Sequence, residues 1–154
     1  MPADRFTVSQ LVRAPADVVW DDLAHIDRHV DWMYDAADIT FHGEQRRGVG
    51  TTFDCLTVVG PLRTVDRMEI TSWVEGAQIG VRHVGLVTGE GVISVIDAGP
   101  SHCVVSWTER LRFPWFVGGP VATFAARPVM VAIWRSSLRK LAARWPSALP
   151  DGEQ

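Results

Sequence analysis

From Val105 to Phe113 polar and apolar residues alternate. Val105, Trp107, Leu111 and Phe113 share one face of an extended chain, and Ser106, Thr108, Arg110 and Arg112 share the other. Glu109 falls on the apolar face. A carboxylate carried into an apolar interior must be paired, protonated or hydrogen-bonded. So placed, it can hold the polar head of a ligand or move a proton. His83 shares a strand face with Ile79 and Val81 and is expected to point inward as well. An imidazole titrates near neutral pH, so Glu109 and His83 are the candidate catalytic acid–base pair. The plainer alternative makes His83 a hydrogen-bonded lining residue.

Two further charged residues come into question. Asp66 shares a face with Met68 and Ile70, and is either a third polar contact or an edge residue facing water. Arg127 stands in a helical stripe between Phe124 and Val131. It is a candidate partner for Glu109, or for a ligand carboxylate or enolate, unless it snorkels to water from the margin of the stripe. Seven tryptophans are many for 154 residues. Trp20 is expected to anchor a helix in the core. Trp32, Trp73, Trp107 and Trp134 are candidate ligand-binding walls, because flat apolar surfaces with few polar groups suit ring-bearing ligands.

Other chemistries find little support. His25, His29, Asp27 and Asp31 cluster on a short helix junction with no further matched ligand, so they read as solvated surface and no metal is expected. Gly48-Val49-Gly50 and Gly89-Glu90-Gly91 lack the Lys-Ser/Thr or the following helix of a phosphate loop. No nucleophile elbow, Cys–His dyad or nicotinamide fingerprint occurs, and no cofactor is implied. Cys55 and Cys103 each lie within a strand-like run and outside any CxxC pair, as small buried thiols of a reducing compartment do.

The elements that must position these residues follow from periodicity. Phe6 to Arg13 predicts a first strand, with Phe6, Val8 and Val12 on one face. Pro15 fixes a backbone angle suited to a helix start, and Val18, Val19, Trp20, Leu23 and Ala24 follow as a helical stripe. Asp27 is expected to cap a second short helix running through His29, Val30, Trp32 and Met33. Six strands come next: 39–42, 51–59, 62–73, 79–84, 92–96 and 102–113. Their separators are short and glycine-bearing, Gly89-Glu90-Gly91 among them, which favours antiparallel pairing. After Pro114 the period becomes helical through Phe124, Arg127, Val131, Trp134, Leu138, Leu141 and Trp145, with Pro128 a candidate kink. Pro146 and Pro150 close it.

One domain over 1–146 with a frayed tail at 147–154 is expected, and a chain of this size buries roughly 68–70% of its unfolded surface. Lys and Arg number 15 against 18 Asp and Glu, a net charge of −3, which leaves no basic field for nucleic acid. Residues 115–134 hold a single charge, Arg127, near the centre. That charge and the interrupting Gly118, Gly119, Pro120 and Pro128 argue against a membrane span. The first residues carry no apolar signal stretch, so a cytoplasmic protein, monomeric or homodimeric, is expected.

Together these features resemble the START-like, or SRPBCC, superfamily and its polyketide cyclase/dehydrase and lipid-transport branch. Val12 to Trp20, with Ala14-Pro15 before Val18-Val19-Trp20, is similar to that family's first strand and helix start. Trp32, Gly48-Val49-Gly50-Thr51, Trp107-Thr108-Glu109 and Phe113-Pro114 match in order over about residues 6–145. The resemblance implies an α+β helix-grip: a curved seven-stranded antiparallel sheet, two short helices after strand one, and a long C-terminal helix over a cavity. It implies binding or transport of a hydrophobic small molecule, lipid-like or aromatic. Members also include aromatase/cyclases and partner-binding proteins, so a cyclase or dehydratase and a stress-related interaction protein stand as alternatives.

Overall fold

The computed structural model describes residues 5–146. The expected tail at 147–154, with Pro150, lies outside them. β1 (Arg5–Val12) leads into α1 (Ala16–Leu23) and a short 3-10 helix (Ile26–Asp31). Then come β2 (Ala36–His42), β3 (Thr52–Val59), β4 (Leu62–Val74), β5 (Gln78–Val84), β6 (Thr88–Asp97) and β7 (Cys103–Arg112). A 3-10 turn (Trp115–Val117) precedes the long helix α2 (Gly119–Ala142).

All seven strands form one antiparallel sheet in the order β1-β7-β6-β5-β4-β3-β2. Each strand from β2 to β7 pairs with its sequence neighbour, as short connections dictate, and β1 closes on β7. The sheet wraps α2 in the helix-grip arrangement. Strict alternation in β7 buries Cys103, Val105, Trp107, Glu109 and Leu111 on the concave face. A bulge between Ile70 and Ser72 of β4 brings Trp73 opposite the buried Ile79.

The core gathers where β1, β7, α1 and the last turns of α2 meet. Val12, Val19, Leu23, Leu138 and Leu141 are buried there, and each contributes roughly 1.5–3 kcal/mol by leaving water. An aromatic column ties the layers together. Phe6 stacks on Trp134 at 4.8 Å, Trp134 meets Trp107 at 5.1 Å, and Trp107 meets Trp32 edge-on at 6.0 Å. Arg144 donates to Asp22 at 3.0 Å and fastens the turn that follows α2 to α1.

Several expectations are corrected. The 3-10 helix begins after His25, not at Asp27, and no side-chain bond caps it. Gly89-Glu90-Gly91 is no turn; it lies inside β6, and the β5–β6 connection is 85–87. Phe124, placed by spacing on the inner stripe of α2, is exposed at 73%. The first half of α2 is apolar nearly all round, so spacing there selects no face; Met130 and Ala126, four and eight residues before Trp134, are the ones turned inward. Apart from these corrections, α2 continues as one helix through Pro128. Among the described residues no helix is long and apolar enough to cross a membrane.

Candidate functional site

Between the concave face and the first half of α2 lies a cavity of about 400 Å³, within the range of small-molecule sites. Its walls are apolar: Phe53, Met68, Ile79, Val81, Ile93, Leu111, Met130 and Trp134 among them. Leu62, Val65 and Leu86 form its rim and are themselves exposed.

A polar cluster interrupts this lining. His83 on β5 donates from Nδ1 to Asp66 Oδ2 at 2.6 Å and from Nε2 to Glu109 Oε2 at 3.3 Å. Glu109 Oε1 also accepts the Trp107 indole N–H at 2.9 Å. The side chains of His83 and Glu109 are 8% and 5% exposed. Both imidazole nitrogens meet a carboxyl oxygen, and the imidazolium, with a donor on each nitrogen, satisfies both contacts. Burial works against that charge, but the hydrogen bonds and charges of Asp66 and Glu109 outweigh it and push the His83 pKa up to about 10.

Strand pairing explains how the three side chains meet. Met68 of β4 lies opposite His83, which puts Asp66 on the same face one step along. β6 separates β5 from β7, and it presents Gly89 opposite His83 and Gly91 opposite Glu109. A Cβ on Gly91 would lie 2.5 Å from Glu109 Oε1. The missing side chain is what lets the carboxylate cross β6 toward His83.

Two more lining groups matter, and sequence reading missed both. Asp35, just before β2, lines the cavity. Burial raises its pKa, the charges of Glu109 and Asp66 raise it further, and bonding from its own backbone N–H and the Trp134 indole only partly offsets them. No strand or helix pattern covers Asp35, so only the fold reveals it. His29 is not solvated surface: it is buried, lines the cavity and donates from Nε2 to the Leu23 carbonyl at 2.8 Å. Burial lowers its pKa and keeps the ring neutral. Among the described residues no group of side chains could hold a metal ion.

Of the eight residues singled out from sequence, Asp66, His83, Trp107, Glu109 and Trp134 converge on the cavity. Asp66 is drawn inward by His83 and does not face water at an edge. Trp32, Trp73 and Arg127 are placed elsewhere. Trp32 is fully buried behind the wall, against His29 and Trp107. Trp73 faces Trp20 of α1 at 5.5 Å and donates to Glu75 at 2.8 Å, because α1 covers that end of the sheet. Arg127 lies over the Phe6 ring, 5.8 Å from its centroid, and His83 is a partner of Glu109. Cys55 and Cys103 are buried free thiols, and burial pushes Cys55 up to about 12.

Comparison with known proteins adds a family and a set of folds. The sequence profile described as polyketide cyclase/dehydrase and lipid transport matches residues 3–145. No curated protein sequence matches the chain. Among solved structures, the Zhui aromatase/cyclase from Streptomyces sp. R1128 superposes with a TM-score of 0.75 at 15% identity, over 91% of this chain and 92% of that one. The di-domain aromatase/cyclase StfQ of the steffimycin biosynthetic pathway gives 0.72 at 15%, over 91% of this chain and 49% of its own. A START superfamily protein from Mycobacterium smegmatis gives 0.69 at 13%, over 91% and 95%. At such identities the likeness is one of fold.

Proposed function

The chain belongs to the polyketide cyclase/dehydrase and lipid transport family, and on that premise we propose that it binds and carries a small hydrophobic ligand, lipid-like or aromatic and polyketide-like, in the cavity under α2. One observation carries this reading: an apolar cavity of about 400 Å³ whose lining holds a few buried polar groups, the His83–Asp66–Glu109 cluster foremost. Apolar walls supply affinity without orientation, and a few fixed polar groups supply orientation. Trp107, Trp134, Asp66, His83 and Glu109 are the proposed contacts. The reading extends to a cytoplasmic protein, monomeric or homodimeric, with no nucleic-acid partner.

Native mass spectrometry of the freshly purified protein is the test. A co-purifying hydrophobic compound is expected, and Met130→Trp, which fills the cavity from α2, should remove it. A compound retained at full occupancy by Met130→Trp would place it elsewhere and end the reading.

A second reading, cyclase or dehydratase action on a polyketide-like substrate, is favoured by the buried carboxyl of Asp35 beside the His83 cluster. A His83 held protonated to about pH 10 is no general base at neutral pH. Under this reading Glu109 serves as base, with His83 orienting it, and Asp35 serves as acid. Turnover of a polyketide substrate that survives Glu109→Gln would remove it.

A further inference from the structure

The lining's hydrogen-bonding capacity is lopsided. Asp35 Oδ1 and Asp66 Oδ1 are both buried and have no hydrogen-bond partner among the described residues. Both residues line the cavity. Nδ1 of the neutral His29 is a third acceptor, because Nε2 carries the proton given to Leu23. Every side-chain N–H of the lining is already committed, and the Thr57 and Thr64 hydroxyls can accept as well as donate. Both His83 N–H groups go to carboxylates, the Trp107 indole goes to Glu109, and the Trp134 indole is directed at Asp35. No Lys or Arg is among the lining residues, and the imidazolium faces two carboxylates. An arriving anion would meet the carboxylates of Asp66 and Glu109 beside the buried carboxyl of Asp35, with no uncommitted cation in the lining to receive it, in surroundings where charges are weakly screened.

From this arrangement we infer that the cavity selects ligands whose apolar body ends in a hydrogen-bond donor, a hydroxyl or an ammonium, and excludes carboxylates. Such a head donates a hydrogen bond to Asp66 Oδ1 or Asp35 Oδ1, while its body lies against Trp107, Trp134 and Met130. Fatty-acid-like ligands are thereby ruled out, although an apolar cavity of this volume would otherwise admit them. The inference deepens the binding reading and rests on it.

Matched probes at pH 7 test it, followed by calorimetry: 1-naphthalenemethanol, 1-naphthylmethylamine and 1-naphthoic acid, which share one ring system and differ in the head. The alcohol and the amine are expected to bind at least tenfold more tightly than the acid. Asp35→Asn, which swaps one acceptor oxygen for an amide donor at constant shape, should cut the preference of amine over acid at least threefold. The acid binding as tightly as the other two, or an unchanged preference in Asp35→Asn, overturns the selectivity and leaves the carrier reading standing. Failure of all three probes to bind overturns both.

Discussion

The two halves of α2 are built to different rules. From Trp134 to Leu141 the helix is core: Trp134, Ser137, Leu138 and Leu141 are buried, and the aromatic column locks Trp134 between Phe6 and Trp107. From Gly119 to Ile133 only Gly119 is buried, while Val121, Phe124 and Val129 are largely exposed, as are Trp115 and Phe116 just before it. The cavity lies under this loosely packed half, and the His83 cluster lies near the boundary, where Trp134 faces Asp35. The difference teaches that one end of the grip supplies stability, and the other leaves volume unfilled. Empty apolar volume is tolerated only where the packed end has stability to spare.

The sharpest way to break this comparison is to truncate one aromatic residue in each half. Trp134→Ala should cost about 3–5 kcal/mol in urea unfolding, the usual range for a buried Trp or Phe. Phe124→Ala, in the exposed half, should stay within about 0.5 kcal/mol. Equal losses would mean that the two halves are packed alike.

The next effect is one of pH and belongs to the boundary. His83 has a folded pKa raised to about 10 from an ordinary 6.5. Its contribution to stability is therefore complete below pH 6.5 and is lost as pH climbs toward 10. At about 1.4 kcal/mol per pKa unit the whole contribution is at most about 5 kcal/mol. His29, whose pKa is lowered, acts below 6.5 and with the opposite sign. Cys55, raised from 9.0 to about 12, adds a loss of the same sign only above pH 9. Denaturant midpoints measured from pH 6.5 to 9 should fall in the wild type and stay level in His83→Gln. A wild type level across that span would mean that His83 is not held as imidazolium.

Much of this was legible in the sequence, for a physical reason. The face of Glu109 follows from a two-residue period that any half-buried strand must obey, and β7 keeps it without a break. His83 and the strand order followed from the same rule and from short connections. What was hidden depends on distance in space. The partner of Glu109 comes from two strands away, and Arg127 was the nearer guess only because the apolar first half of α2 conceals which side faces in. Trp73 needed the bulge and the covering α1 to be placed, and Asp35 sits where no period operates. Gly89-Glu90-Gly91 misled most directly, since paired glycines usually mark a turn.

Those glycines carry the smallest of the three predictions and the most specific one. Gly91 has an ordinary strand backbone, so an alanine there meets no conformational strain. It meets only the far end of Glu109, whose carboxylate carbon would lie 2.7 Å from the new Cβ. A flexible side chain can turn aside, but Glu109 then gives up His83 and the Trp107 indole together. Gly91→Ala should accordingly cost about 1–3 kcal/mol, the range for overpacking a fitted interior. Its signature is electrostatic rather than steric. With one carboxylate gone, the His83 pKa read from imidazole proton shifts in NMR should drop below its wild-type value, whereas Gly60→Ala, in the open β3–β4 turn, should leave it alone. A His83 titration unchanged in Gly91→Ala would show that the strand between them does not need to be bare for the carboxylate and the imidazole to meet.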